Sequence, residues 1–307
     1  MIISTPLRSK ILSRARSSSL PSKSHPLIPQ FNEHFNTLKS DLDSISLTSL
    51  PSIATQLQNL EKLYDCVDDL LLLPQTRLVF ARVDKSLEKQ ADNILDGYLN
   101  LVDICATTKD LLSLSKECIS NLAFVLRRKR DSGNNLFDFV ISSRNSIKKK
   151  IRISLKKIGT FKNKSSVSAQ GKDLQETIAI ISMLEKTELI TLELFETLFS
   201  SVAGVKRHYL RSSNWSLVSK LVKSRKKSEG QYCKSTNLEF RDFDDALRKV
   251  VGYRVSKCES WEIEGLQMKL REMGSIVHVI EERFESLFKR LIKFRVSLLN
   301  IQSQYSS

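Results

Sequence analysis

Residues 263–301 read IEGLQMKLREMGSIVHVIEERFESLFKRLIKFRVSLLNI, and this stretch decides the fold class. Apolar residues recur in it at alternating steps of three and four, without a proline, which is the period of one helix face. At 1.5 Å per residue such a helix is about 58 Å long. The face is Ile263, Leu266, Leu270, Met273, Val277, Ile280, Phe284, Leu287, Leu291, Phe294, Leu298 and Ile301. It is broader than a two-stranded coiled-coil seam and, from Leu287 onward, apolar on most sides, which predicts the central core helix of a bundle.

The composition of the whole chain also favours helices. Only nine glycines and six prolines occur in 307 residues, and no uncharged apolar run approaches the length of a membrane span. Five cysteines without C-x-x-C spacing indicate reduced core thiols. We therefore expect an all-α, elongated helical bundle with a long C-terminal core helix and a disordered N-terminal tail.

The predicted tail covers residues 1–24, which are rich in serine and arginine and lack a helical period. Its segment RSSSLP, residues 16–21, places Arg16 three residues before Ser19 and Pro21 two after it. This spacing makes Ser19 a candidate phosphosite for a 14-3-3-type reader, which grips phosphoserine through arginine clusters. We expect a cytoplasmic protein. The acid-poor tail leaves a plastid transit peptide as the alternative.

The bundle itself is predicted to cover residues 25–303, in three sections. Residues 25–130 should form four helices, of which the third ends near Cys105 and the fourth runs from Leu111 to Arg127. Residues 131–172 should form a basic helix, Leu136–Ile158, and a linker that starts at Gly159. Residues 173–303 should form the remaining helices, including a short one around Trp215.

Positive charge is concentrated in three blocks of the chain. Residues 127–164 hold thirteen basic residues against Asp131 and Asp138, within a total net charge of +15. In the basic helix an apolar stripe is surrounded by Lys148, Lys149, Lys150, Arg152, Lys156 and Lys157. These six residues are the candidate contacts for an acidic or phosphate-bearing protein partner, or for an anionic membrane surface.

Residues suited to catalysis or metal binding are sparse. The four histidines are far apart, and none is spaced from another as a zinc-binding helix requires. Glycine-rich nucleotide motifs are absent, and the carboxylate pairs fit solvated helix faces. We expect no enzyme, no catalytic or metal-binding residue and no cofactor.

Six blocks of sequence together resemble a plant-specific helical family related to the BYPASS proteins, long described as a domain of unknown function. The blocks are SLPSKSHP (19–26), LEKLYDCVDDLLLLP (60–74), LDGYLNLVDICATTKD (95–110), LRRKR (126–130), WSLVSKL (215–221) and ESLFKRLIKFRVSLLN (285–300). The resemblance implies plant origin, an all-helical fold and a role in root and shoot development. It implies no catalytic residue and no cofactor.

Three classes of function stay open at this point. The charge blocks and the resemblance favour a non-enzymatic regulatory protein that binds an acidic partner. The alternative is a peripheral protein that binds anionic lipid through residues 136–158, because that segment combines an apolar stripe with dense positive charge. Nucleic-acid binding is disfavoured, since the cations are not interleaved with stacking aromatic residues.

The Ser19 prediction can be tested with two peptides that span residues 14–24. The peptide phosphorylated at Ser19 is expected to bind a 14-3-3-type protein in a fluorescence titration, because its phosphate adds charge and acceptor oxygens for an arginine cluster. The unphosphorylated peptide is the control. Equal binding by both peptides, or by neither, would contradict the prediction.

Overall fold

Seven α-helices make up the part of the chain that the computed structural model describes, which is residues 26–44, 49–74, 76, 85–127, 134–162, 175–205, 239–253 and 260–304. They are α1 (Leu27–Asp43), α2 (Leu50–Leu71), α3 (Lys85–Arg127), α4 (Asn134–Lys162), α5 (Gln175–Ala203), α6 (Phe240–Tyr253) and α7 (Ser260–Gln304). No β-strand occurs in these ranges. The predicted all-α fold with a long C-terminal core helix is therefore confirmed.

The long helix α7 buries the face that the sequence pattern marked. Ten of its twelve predicted positions are buried, and the other two, Leu266 and Ile301, pack partly buried against the core. The flanking residues Ile292, Val296 and Leu299 are 37–49% exposed, however. The expectation that the helix is enclosed on most sides beyond Leu287 is thus wrong on this flank, where α7 has a solvent face.

Helix α3 is one continuous helix of 43 residues, so the predicted break between a third and a fourth helix is wrong. Residues 106–110, ATTKD, contain neither glycine nor proline. The Thr107 and Thr108 hydroxyls donate to the carbonyl oxygens of Asp103 and Ile104, at 2.9 and 2.7 Å. These bonds satisfy the two hydroxyls inside the helix, and with Thr108 buried against the bundle and no helix-breaking residue present, the polar segment continues the helix instead of ending it.

Helices α3 and α7 form the most extensive helix pair of the bundle and run antiparallel. Near one end the Tyr98 and Phe294 rings lie 4.3 Å apart, centroid to centroid. In the middle the Cys105 thiol lies 3.7 Å from the Phe284 carbonyl oxygen, and at the other end Gly274 packs against Ile119. The two helices are therefore in contact from Tyr98 to Ile119 of α3.

Helix α5 closes the bundle on the side away from α7's solvent face. It packs against α2, α3 and α4, and several of its buried hydroxyls hydrogen-bond locally or to neighbours. Tyr64 Oη of α2 lies 3.1 Å from Thr191 Oγ1, and Tyr98 Oη donates to the Leu184 carbonyl oxygen at 3.4 Å. These two tyrosine hydroxyls are therefore satisfied inside the bundle, whereas the buried Ser201 hydroxyl of α5 has no hydrogen-bond partner among the described residues.

One acidic side chain of α5 is buried against α3. The Glu188 carboxylate occupies the space that a side chain at Gly97 would fill, which explains a glycine inside a long helix. Burial, together with the nearby Glu185 carboxylate, raises the pKa of Glu188 to about 7. Near neutral pH this carboxyl group therefore titrates inside the helix packing.

The structure contradicts one further sequence prediction and does not describe the residues of two others. The linker expected from Gly159 is wrong for its first four residues, because α4 continues to Lys162. Phe161 packs against the core there, and Lys162 Nζ lies 2.6 Å from Glu196 Oε2. The short helix around Trp215 and the tail, residues 1–24, lie outside the described residues.

The core role of α7 predicts a sharp contrast between two neighbouring residues. Leu291→Ala removes a fully buried side chain and should lower the free energy of unfolding by about 2–5 kcal/mol, through lost burial and a residual cavity. Ile292→Ala is the matched control, because Ile292 is 41% exposed, and it should cost less than about 1 kcal/mol. Urea unfolding followed by circular dichroism measures both. Equal losses would show that α7 does not face the core as described.

Candidate interaction surface on the basic helix

The apolar stripe of α4 packs into the bundle. Val140, Ile147, Ile151 and Ile158 are no more than 1% exposed, and Leu155 is partly buried against the core. The stripe that a membrane-lying helix would insert is therefore already covered by protein. What α4 presents to solvent is the rest of its circumference, which is mostly polar but includes Phe139 and Ile153.

A buried arginine lies inside this stripe. Arg144 follows Val140 by four residues and precedes Ile147 by three, and it is 2% exposed. Its Nε donates to Asp244 Oδ1 at 2.7 Å, and its Nη2 donates to Asp244 Oδ2 at 3.1 Å. This two-bond geometry between a guanidinium and a carboxylate is the strong form of an ion pair. It fastens α4 to α6.

The same arginine reaches the carboxyl end of α5. Its Nη2 also donates to the Val202 carbonyl oxygen at 2.7 Å, one of the carbonyl groups left without a helical partner in the last turn. That turn ends at Gly204, whose φ of +75° is left-handed, with Gly204 N–H donating to the Ser201 carbonyl and Val205 N–H to the Ser200 carbonyl. A cation also suits this negative end of the helix dipole.

Lys148, one turn after Arg144, completes the group. Its Nζ lies 2.6 Å from Asp244 Oδ2, and the Arg144 guanidinium stacks 4.9 Å from the centre of the Phe240 ring. Burial lowers the pKa of the Lys148 ammonium, while the Asp244 carboxylate opposes that shift. We call Arg144, Lys148, Asp244 and the Val202 carbonyl the Arg144 cluster. It joins α4, α5 and α6 at one point.

The six predicted contact residues therefore separate into two groups. Lys148 belongs to the Arg144 cluster, and Arg152 is half-buried. The other four lysines are exposed, and none forms an ion pair with an acidic residue in the part of the chain that the structure describes. We call these four the basic face: Lys149, Lys150, Lys156 and Lys157.

The Arg144 cluster was missed by the sequence reasoning, although a signal for it existed. An arginine at the core spacing of an apolar stripe indicates a buried partner, because an unpaired charge there is costly. The partner, Asp244, stands 100 residues away beside Phe240 and Phe243, and no local pattern connects the two segments. The predicted phosphosite Ser19 lies outside the described residues, so it stays a prediction.

The described residues hold little that resembles a catalytic or metal site. No group of three or more His, Cys, Asp or Glu residues in these ranges is arranged to hold a metal ion. Burial raises the pKa of Cys118 to about 11 and also raises the pKa values of Cys66 and Cys105, which disfavours their reactive thiolate forms. None of the described helices is long and apolar enough to cross a membrane.

Comparison with known protein families finds a match. The family model described as Protein BPS1 matches residues 56–301, which extend from within α2 to within the last turn of α7. This range includes the basic face and the whole Arg144 cluster. No curated protein and no solved structure matches the chain.

The Arg144 cluster makes a prediction about stability. Arg144→Met leaves the buried Asp244 carboxylate with Lys148 as its remaining cation and should cost about 3–5 kcal/mol of unfolding free energy. Arg248→Met is the control, because Arg248 pairs with Asp245 on the exposed side of α6 and such pairs contribute about 0–1 kcal/mol.

A triple variant, Arg144→Met with Lys148→Met and Asp244→Leu, separates loss of the ion pairs from loss of packing. It should recover part of the stability lost in Arg144→Met, since no uncompensated charge stays buried. Urea unfolding measures all three variants. An Arg144→Met variant as stable as the Arg248→Met control would disprove the role given to the cluster.

Proposed function

This chain belongs to the family described as Protein BPS1, in agreement with its resemblance to the BYPASS-related proteins, and we propose that it is a non-enzymatic regulatory protein that acts by binding a partner. By that resemblance its role is in root and shoot development of a plant. We propose the cytoplasm as its location, with the plastid as the alternative. The binding surface in this proposal is the basic face of α4.

The single observation that supports this surface is the lack of intramolecular partners for its lysines. Some cations elsewhere in the described helices pair across helices, as Lys39 does with Glu193 at 3.0 Å and Arg290 with Asp65 at 2.6 Å. Exposed lysines without such a pair, such as Lys62 of α2 and Lys186 of α5, are the single cations of their helices. Four neighbouring lysines of α4 have no such pair. A cluster of positive charges attracts an acidic or phosphate-bearing partner and raises the rate of association.

Rigidity is a second property that suits a binding surface. The buried face of α4 packs in the core, and the Arg144 cluster fixes the helix to α5 and α6. Cations on a fixed helix keep their spacing when a partner arrives, so less conformational entropy is lost on binding than from a flexible segment. This distinguishes the basic face from a charged tail.

Binding to an anionic membrane surface is the alternative function. Each lysine near such a surface contributes roughly 1 kcal/mol, so the basic face alone could hold the protein weakly at a membrane. With the apolar stripe of α4 buried, however, only Phe139 and Ile153 remain as apolar side chains to insert, which is much less than the continuous apolar face that stabilises interfacial helices. We therefore favour a protein partner.

A charge-neutral variant tests the proposed function. The variant replaces Lys149, Lys150, Lys156 and Lys157 by Gln and retains Lys148, which the Arg144 cluster needs. In pull-downs from plant extract, the amount of each acidic protein retained by the wild type is expected to be about tenfold or more lower with the variant, because charge attraction to the basic face is removed. Retention should also weaken as salt is raised.

The matched control replaces four exposed lysines on other helices by Gln: Lys62, Lys89, Lys186 and Lys269. It has the same net charge as the test variant and should retain the same proteins as wild type. The alternative membrane function is tested by flotation with anionic phosphatidylserine vesicles, compared with neutral phosphatidylcholine vesicles. The membrane function would replace the proposal if the wild type floated with the anionic vesicles only, if the four-lysine variant did not, and if both retained the same acidic proteins in the pull-down.

A further inference from the structure

Beside the basic face, the outer surfaces of α3 and α4 enclose a groove. The two helices pack closely along its floor, where the Cys118 thiol lies 3.7 Å from the Val140 carbonyl oxygen. The α3–α4 groove is lined from α3 by Leu114, Glu117, Cys118 and Asn121, and from α4 by Ser143, Ser146 and Lys150. Its floor is thus partly polar and its shape is concave.

Large apolar side chains stand at the edges of this groove. Phe139 and Ile153 of α4 are 50% and 51% exposed, and their spacing from Ser143, Ser146 and Lys150 places all five on one helix face. Phe139 and Ile153 are 14 positions apart, which corresponds to about 21 Å along α4. On α3, Phe124 is 43% exposed and follows Asn121 by three residues. The apolar edge thus extends over about four helical turns.

The charges along the groove are of opposite sign on its two sides. The α4 side carries Lys150, and the rest of the basic face continues beside it. The α3 side carries Glu117, which is exposed. A ligand that lies in the groove meets positive charge on one flank and negative charge on the other. An occupant with acidic groups on one flank only matches this arrangement.

We propose that the α3–α4 groove binds an amphipathic helix of a partner protein, with acidic residues along one flank. This inference rests on the proposed function and adds the partner's class and its mode of binding. The apolar face of the partner helix contacts Phe139 and Ile153, whose separation of about 21 Å along α4 matches positions i and i+14 of a helix that lies along the groove. Its acidic flank lies along the basic face of α4.

The shape of the groove favours this occupant over a lipid surface. A bilayer is flat on the scale of one groove, so it would reach Phe139 and Ile153 but leave Ser143, Ser146 and Asn121 facing a gap. A helix that rests on Phe139 and Ile153 can extend polar side chains into this small concavity, where they can hydrogen-bond with the groove lining. The concave polar lining is therefore the observation that separates the two.

Synthetic peptides and the full chain test this proposal directly. The probe is a peptide of about 18 residues with leucines on one helix face and glutamates along one flank. A scrambled peptide of the same composition has no continuous apolar face. Fluorescence anisotropy should show the amphipathic peptide binding about tenfold or more tightly than the scrambled one, because only the former presents its leucines together.

Two protein variants locate the binding site. Phe139→Ser with Ile153→Ser removes the apolar edge and should weaken binding of the amphipathic peptide by about tenfold or more, which equals the loss of one buried anchor. The matched control is Ile292→Ser with Val296→Ser, which removes similar exposed apolar residues from α7 and should leave binding unchanged. Circular dichroism confirms that each variant keeps its helices.

The outcomes distinguish the groove from the basic face. One outcome would overturn the groove as the binding site while leaving the proposed function intact. In it both peptides bind equally, and this binding is lost in the four-lysine variant but not in the Phe139/Ile153 variant. Loss of binding in both variants supports the groove. No binding of either peptide, or a stronger effect of the α7 control than of the groove variant, would overturn it. Association with phosphatidylserine vesicles that depends on Phe139 and Ile153 would also overturn it in favour of lipid.

Discussion

The antiparallel packing of α3 against α7 is the contact on which the rest of the bundle depends. The two helices, of 43 and 45 residues, are each about 65 Å long, and each is longer than any other helix described. Their contact is continuous from the Tyr98–Phe294 ring pair to the approach of Gly274 to Ile119. Helix α2 packs on α7, while α4 and α5 pack on α3, so a change in this pair would displace the whole assembly.

The Arg144 cluster has a different role, because it fixes the helices that carry the candidate surface. Hydrophobic packing is non-directional and would allow α4 to slide or rotate slightly on α3. A two-bond ion pair between Arg144 and Asp244, with the Val202 carbonyl as a third contact, admits one arrangement only. The Arg144 cluster and the buried apolar stripe of α4 together therefore fix the positions of the basic face and of the groove edge.

The contrast between Lys148 and its neighbours shows how one block of sequence serves two purposes. Lys148, Lys149 and Lys150 are consecutive, so a helix points them in directions about 100° apart. Lys148 turns toward Asp244 and contributes to the fold, whereas Lys149 and Lys150 point outward. Lys150 also lines the groove. A variant that removed all three would mix a loss of stability with a loss of binding.

The all-α class, the buried face of α7 and the apolar stripe of α4 were determined by the sequence alone, because helical periodicity is a local property. Residues three and four apart share a face whatever the rest of the chain does. Local pattern failed at residues 106–110 and at Gly159, where contacts of Thr108 and Phe161 with the rest of the bundle extend helices through segments of weak propensity. It also failed on the flank of α7, since the apolar character of Ile292 does not show whether another helix covers it.

Only the tertiary structure decided three features: the pairing of Arg144 with Asp244, the separation of Lys148 from the basic face, and the groove between α3 and α4. Each depends on residues far apart in sequence that the packing of helices brings within a few ångströms.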